Sequence, residues 1–374
     1  MIADIEADDA AATAHRVNAE NEGRERPKLD STGAIKIQKG IIMKRAIKHI
    51  SQLLLPIAFA ILSASFVLAQ SGTPLPNNSD ISDQNAGSVL IFNYYGSHAS
   101  YPALENTEIH ITNTNLQKSA SMTIFFIDAA SGDVDNASLC LAANQTASFL
   151  MADVDPGAKG YIIAVSVDFT GQPNNFNYFI GSESIRMASG HVAALNAETI
   201  SALTPSSTGV SNGIAATLKF DGVHYNKVPY GLALDHVPAT VDGNKTLVIV
   251  NQIGGSLLNG HLPDNLTTLT GTVYDRATNA HFWQVGDINS CQFRKVIAND
   301  FPQTMPNMST LIAPGQYGWM KFWPIEANKG VTGAVLYLNV STPYGVSRFI
   351  GGRNLHHLAL TTDELTIPVI PPVC

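Results

Sequence analysis

The sequence predicts an all-β chain: two tandem β-sandwiches produced by an internal duplication, after a leader and an export signal. Three observations carry this expectation. Short runs rich in β-branched and aromatic residues recur with turn signals roughly every 8–12 residues. None of them alternates with a long helical pattern, which disfavours a doubly wound α/β fold. And four anchors occur twice in the same order, the signature of a repeated unit. Pro156-Gly-Ala-Lys-Gly-Tyr161 leads into an apolar run ending at Tyr178-Phe-Ile-Gly181, and Pro314-Gly-Gln-Tyr-Gly-Trp319 leads to Arg348-Phe-Ile-Gly351. Upstream, Ile111-Thr-Asn113 matches Ile249-Val-Asn251, and Phe126-Ile-Asp128 matches Val273-Tyr-Asp275.

Residues 1–42 are polar, of mixed charge and without apolar periodicity, so they read as a disordered leader or an over-extended gene start. Met43 opens a signal peptide over residues 43–69. Lys44, Arg45 and Lys48 form its basic region, Leu53 to Leu62 its apolar centre, and Val67-Leu-Ala69 a small-residue cleavage site before Gln70. The apolar run to Leu68 spans roughly 24 Å as a helix, short of the ~30 Å hydrocarbon layer a permanent anchor must cross. The expected product is secreted or held at a bacterial cell surface, with no stable membrane span after cleavage.

The first sandwich is assigned to residues 84–203. Its strands are Ser88–Tyr95, Glu108–Thr112, Ser121–Ile127, Ser138–Ala142, Thr146–Leu150, Tyr161–Val167 and Phe176–Ile180, with a short helix or irregular cap over Ser189–Leu203. Thr204–Asn212 is a polar, helix-breaking linker. The second sandwich takes residues 213–368, starting at Ala215–Phe220 and lengthened by insertions at Tyr225–Asn244 and Arg276–Met308, which are expected in loops. Residues 369–374 close the chain as a Pro-rich tail.

The chain carries 22 basic and 30 acidic residues, of which nine and eight precede Gln70, so the exported part has a net charge near −9. No basic stripe remains to attract nucleic acid. The surface is sparsely charged and suits a protein that meets a surface polymer or glycan, or copies of itself. Cys140 and Cys291 occupy similar places in the two repeats, so a bridge between them is disfavoured by the ~7 Å Cα limit, and each reads as a buried thiol. Cys374, in the tail, reads as an exposed odd cysteine suited to an intermolecular disulfide.

All three tryptophans, Trp283, Trp319 and Trp323, fall in the second repeat. Strand alternation puts Tyr317, Trp319, Lys321 and Trp323 on one face and Gly318, Met320 and Phe322 on the other. One reading is a flat aromatic surface that stacks on sugar rings or docks a neighbouring subunit. The repeat favours core packing instead, because Trp319 and Trp323 align with Tyr161 and Val165, whose face also holds Ile163 and Val167. Lys321 in place of Ile163 is the observation that favours exposure.

His224, His236, His261, His281, His356 and His357 cluster in the same repeat without metal-ligand spacing. Adjacent His356 and His357 point to opposite faces of a strand. Asp133-Val-Asp-Asn136 and Asp153-Val-Asp155 lack the spaced oxygen series of a calcium loop and serve as turn formers. No nucleophile elbow is present, since Gly181-Ser-Glu-Ser184 lacks the second glycine. No catalytic residue, metal or cofactor is assigned.

Glu108-Ile-His-Ile-Thr-Asn-Thr-Asn115, Phe125-Phe-Ile-Asp128, Asp155-Pro-Gly157 and Gly160-Tyr161 together resemble uncharacterised secreted bacterial proteins with immunoglobulin-like sandwiches. The resemblance implies immunoglobulin-like topology for both repeats and no established activity. The leading expectation is therefore a non-enzymatic exported protein serving structure, adhesion or assembly at the cell surface or in the extracellular space. The alternatives are a carbohydrate-binding protein using Trp283, Tyr317, Trp319 and Trp323, and a secreted hydrolase with its site in the second-repeat insertions.

Overall fold

The strands of the first half are β1 (Val89–Gly96), β2 (Asn106–Asn113), β3 (Ala120–Asp128), β4 (Val134–Leu141), β5 (Thr146–Leu150), β6 (Lys159–Val167), β7 (Phe179–Arg186), β8 (Val192–Asn196) and β9 (Glu198–Ile200). Those of the second are β10 (Ala215–Phe220), β11 (Val228–Pro238), β12 (Asn244–Gln252), β13 (Gly255–Ser256), β14 (Leu269–Tyr274), β15 (Ala280–Val285), β16 (Gln292–Val296), β17 (Tyr317–Pro324), β18 (Val331–Asn339), β19 (Arg348–Asn354), β20 (His356–Thr361) and β21 (Asp363–Pro368). Single helical turns, α1 (Met151–Val154) and α2 (Met308–Leu311), precede β6 and β17. The computed structural model describes residues 81–204, 213–262, 266–339 and 348–374, all within one compact unit, Pro74–Cys374. The leader, the signal peptide and all of the linker after Thr204 lie outside the described residues.

The strands form five small sheets. Sheet I has the order β4-β3-β6-β1-β9, sheet II β5-β2-β7-β8, sheet III β10-β21-β13, sheet IV β15-β14-β17-β11-β20 and sheet V β16-β12-β18-β19. Sheets I and IV share one strand order, as do II and V, and both copies of the Pro-Gly turn sit just before the equivalent strands β6 and β17. In that turn Gly157 (φ 91°) and Gly315 (φ 69°) take the left-handed conformation that favours glycine. Gly160 and Gly318 follow at matching positions. A Cβ there would lie 1.8 Å from the Ile127 carbonyl oxygen and 2.4 Å from that of Tyr274, so each lets its strand approach the neighbour.

Packing departs from two closed sandwiches. Alternate residues of β1 enter different interiors: Leu90 and Phe92 join Ile109, Ile111 and Phe179 of sheet II, while Val89 and Ile91 join Leu218, Phe220, Leu365 and Ile367 of sheet III. Sheet V is likewise buried on both faces. Val248 and Val250 pack on Leu234, Met320 and Phe322 of sheet IV, and Leu247 and Ile249 pack on Ile185, Ala193 and Leu195 of sheet II. Val228, the first residue of β11, reaches the sheet III core. The sheets thus follow one another III–I–II–V–IV and back to III, a propeller-like arrangement. The blades are not consecutive meanders, because each sheet draws strands from separated parts of the chain.

The expectation of two tandem immunoglobulin-like sandwiches is therefore corrected. The chain is all-β with almost no helix, but two of its four cores draw on both halves. A buried polar seam also joins them. Asn251 Nδ2 donates to Asn93 Oδ1 (2.9 Å), and Gln292 Nε2 donates to Asn251 Oδ1 (2.8 Å) and the Gly160 carbonyl (3.2 Å). Asn93 Nδ2 donates to Glu198 Oε1 (2.8 Å) and Asn354 Oδ1 (3.0 Å). Buried amides of this kind must be paired, so the seam fixes how the halves meet.

Other local expectations change as well. Ser189–Leu203 is not helical but supplies β8 and β9, and the supposed loop insertions carry β11, β15 and β16. The Phe-Ile-Gly anchors occupy β7 and β19, strands that are not equivalent by sheet order. Cys374 does not stand free for a second chain. It is bonded to Cys140, with Cα atoms 5.7 Å apart, which ties the tail to β4, and Cys291 is the buried free thiol.

Candidate binding face on sheet IV

β17 alternates as its sequence dictates. Gly318, Met320, Phe322 and Pro324 turn into the core between sheets IV and V, leaving Tyr317, Trp319, Lys321 and Trp323 on the outer face. Tyr317 is 55 % exposed and Trp319 37 %, with Trp323 and Lys321 half-buried. The equivalents of Trp319, Lys321 and Trp323, namely Tyr161, Ile163 and Val165, are fully buried, whereas Lys159, the equivalent of Tyr317, is part-exposed and pairs with Glu105. The reason is sheet III. It covers that face of sheet I, and among the described residues no sheet covers the corresponding face of sheet IV.

Neighbouring strands extend the face. Tyr274 of β14 pairs with Trp319, and their rings stack with centroids 4.2 Å apart and planes 7° from parallel. Lys321 Nζ lies 5.5 Å from the centroid of the Tyr274 ring, a cation–π distance. Phe282 on the edge strand β15 is exposed. Trp283, beside it, points the other way: it is 2 % exposed and packs edge-on against Phe301, 5.4 Å away. Of the four aromatic residues singled out in the sequence, three share the outer face and Trp283 belongs to the core.

Beyond Tyr317 the face opens into a cleft of about 830 Å³ lined by Asp235, His236, Asn244, Tyr317, Tyr337 and Arg353, among others. The His236 ring lies 5.2 Å from Tyr317 and 5.9 Å from Tyr337. Arg353 forms an ion pair with Asp235, donates to the Tyr337 hydroxyl (2.8 Å) and lies over that ring at 5.5 Å. The Tyr337 hydroxyl donates to the His236 carbonyl (2.8 Å), and burial pushes its pKa up to about 12, so it stays a neutral donor. None of this cleft was assigned from the sequence except Tyr317. The signal nearest to it in the sequence is the group of second-repeat histidines, of which His236 lines the cleft.

The histidines are dispersed. His356 Nε2 lies 3.4 Å from Asp235 Oδ2, whereas His357 faces inward, its Nε2 2.8 Å from Glu198 Oε2. His224 pairs with Asp221 (2.7 Å), His261 with Asp133 (3.6 Å) and His281 with Asp275 (3.8 Å). Among the described residues no three potential ligands converge on a metal position. No described helix is long and apolar enough to cross a membrane.

No family model matches the chain, and no curated protein matches it. Among solved structures, the crystal structure of Thermotoga maritima 1070 aligns at 14 % identity, covering 30 % of this chain and 93 % of that one, with a TM-score of 0.24. A likeness at that level carries no argument about fold or function.

Proposed function

We propose that this is a non-enzymatic, exported adhesive protein that holds extracellular carbohydrate on the outer face of sheet IV. The observation that supports it is the uncovered row Tyr317, Trp319 and Trp323, because the first-half equivalents of the two tryptophans, Tyr161 and Val165, are sealed beneath sheet III. Flat aromatic rings bury the apolar faces of sugars while leaving their hydroxyls to hydrogen-bond. The cleft beyond Tyr317 offers such partners in Asn244 and Arg353. A dry protein partner fits less well, because Lys321 and the Asp235–Arg353 pair interrupt the aromatic surface. The polar groups are tied to one another and not arranged about a reacting atom. Asp235 is held by Arg353 and His356, and Asp275 by Asn279 and His281. Weak contacts repeated along a polymer add through multivalency, which suits adhesion.

The test is co-sedimentation of the chain starting at Gln70 with insoluble polysaccharides (cellulose, chitin and peptidoglycan sacculi). Retention on at least one is expected, falling about tenfold or more, ~1.4 kcal/mol, in Tyr317→Ala/Trp319→Ala with the circular dichroism spectrum preserved. Retention by none, or retention indifferent to the double substitution, overturns the proposal.

A further inference from the structure

We infer that the carbohydrate held on this face is acidic, bearing carboxylate or sulfate groups. The inference rests on the carbohydrate reading above and adds its charge. Lys321 sits between Trp319 and Trp323 on one strand face, each step along that face being about 6.6 Å. Its ammonium has no carboxylate within 4 Å among the described residues and leans over the Tyr274 ring. Arg276, in the exposed turn after β14, lies at the same end of the face, where its Nη1 donates to Gln316 Oε1 (2.7 Å), and it too has no acidic partner among the described residues.

The acids on these strands are engaged by other groups and pair with neither cation. Asp235 is paired with Arg353, and His356 Nε2 lies 3.4 Å from its other oxygen. Asp275 stays anionic, but its oxygens accept from the Asn279 side chain (2.8 Å) and backbone N–H (2.9 Å) and face His281 Nε2 at 3.8 Å, and it forms no ion pair with either cation. A cation between two indoles suits a chain in which sugar rings stack and an anionic substituent falls between them. The equivalent of Lys321 in the first half, Ile163, is buried under sheet III, so the charge goes with the uncovered face.

The experiment is affinity gel electrophoresis of the chain from Gln70 through three acidic polymers and their neutral counterparts: polygalacturonate and its methyl ester, alginate and its propylene glycol ester, dextran sulfate and dextran. Wild type is expected to be retarded by at least one acidic polymer about tenfold more strongly than by its partner. Lys321→Gln should abolish that preference, Lys321→Arg should keep it, and Trp319→Ala should weaken binding to both members of the pair. Equal retardation by both members, or a preference that survives Lys321→Gln, overturns the acidic assignment and leaves carbohydrate binding standing. Retardation by none of the six overturns the acidic assignment, and co-sedimentation with the insoluble polysaccharides then decides the carbohydrate reading. Thermal melts of each variant separate lost binding from lost folding.

Discussion

The indole of Trp319 and the phenol of Tyr274 lie face to face across paired strands, 4.2 Å between centroids and 7° from parallel. Such a pair contributes about 0.5–1.5 kcal/mol beyond the area it buries. Tyr274→Ala should lower stability by roughly that amount in urea unfolding. It should also free the Trp319 indole, shifting tryptophan emission to the red. An unchanged emission maximum would show that the stack does not hold Trp319 in place.

Trp283 and Trp319 should respond in opposite ways to truncation. Trp283 fills the core against Phe301 and Phe322, so Trp283→Ala is expected to cost about 3–5 kcal/mol. Trp319→Ala should cost under about 2 kcal/mol, the stack plus a partly exposed ring, while removing most polysaccharide retention. Equal destabilisation by the two substitutions would contradict the assignment of Trp319 to a binding face.

The Cys140–Cys374 bond closes a loop with a sequence separation of 234 residues. Chain-entropy arguments place such cross-links at about 2–4 kcal/mol. Cys374→Ser should lower the urea midpoint accordingly and release the tail to proteolysis. Non-reducing electrophoresis of wild type should show a monomer, and a disulfide-linked dimer would restore the intermolecular pairing expected from the sequence.

Glu183 is fully buried, and burial first, then the nearby Glu198 charge, raises its pKa well above the ordinary 4.5, against a hydrogen bond from the Tyr94 N–H. A carboxyl whose folded pKa is raised favours the fold fully only below its unfolded pKa. That contribution is lost as pH rises from about 4.5 through the raised value. Glu183→Gln should therefore raise the melting temperature at pH 8 more than at pH 4. A larger gain at pH 4 would reverse the sign and refute the account.

Export makes its own prediction. Expression of the full chain in a bacterial host should yield a product starting at Gln70 by N-terminal sequencing, since Val67-Leu-Ala69 presents small residues to the peptidase. A product retaining Met43 or earlier residues in the membrane fraction would oppose the signal-peptide reading.

The strands were legible because β-branched and aromatic runs and Pro-Gly turns are local signals. So was the facing of β17, since alternation fixes it. The burial of its outer face was not. Alignment with Tyr161 and Val165 argued for core, but their burial comes from β10 and β21, strands remote in sequence that lie over this face of sheet I and not over the outer face of β17. The unbroken apolar runs Val89–Phe92 and Tyr161–Val165 lack the alternation of a sheet with one wet face, the sign of strands buried on both sides. The cleft was illegible because Asp235 lies in sheet IV and Tyr337 and Arg353 in sheet V, and they meet only where the two sheets come together.

Sheet III is assembled from residues 215–220, 255–256 and 363–368, yet it seals strands made before residue 201. Synthesis delivers the chain from its amino end, so Val89, Ile91, Tyr161 and Ile163 emerge long before their lid. The first half keeps an apolar face uncovered until β21 arrives. Cutting the gene between the repeats should therefore yield an aggregating fragment in place of a domain.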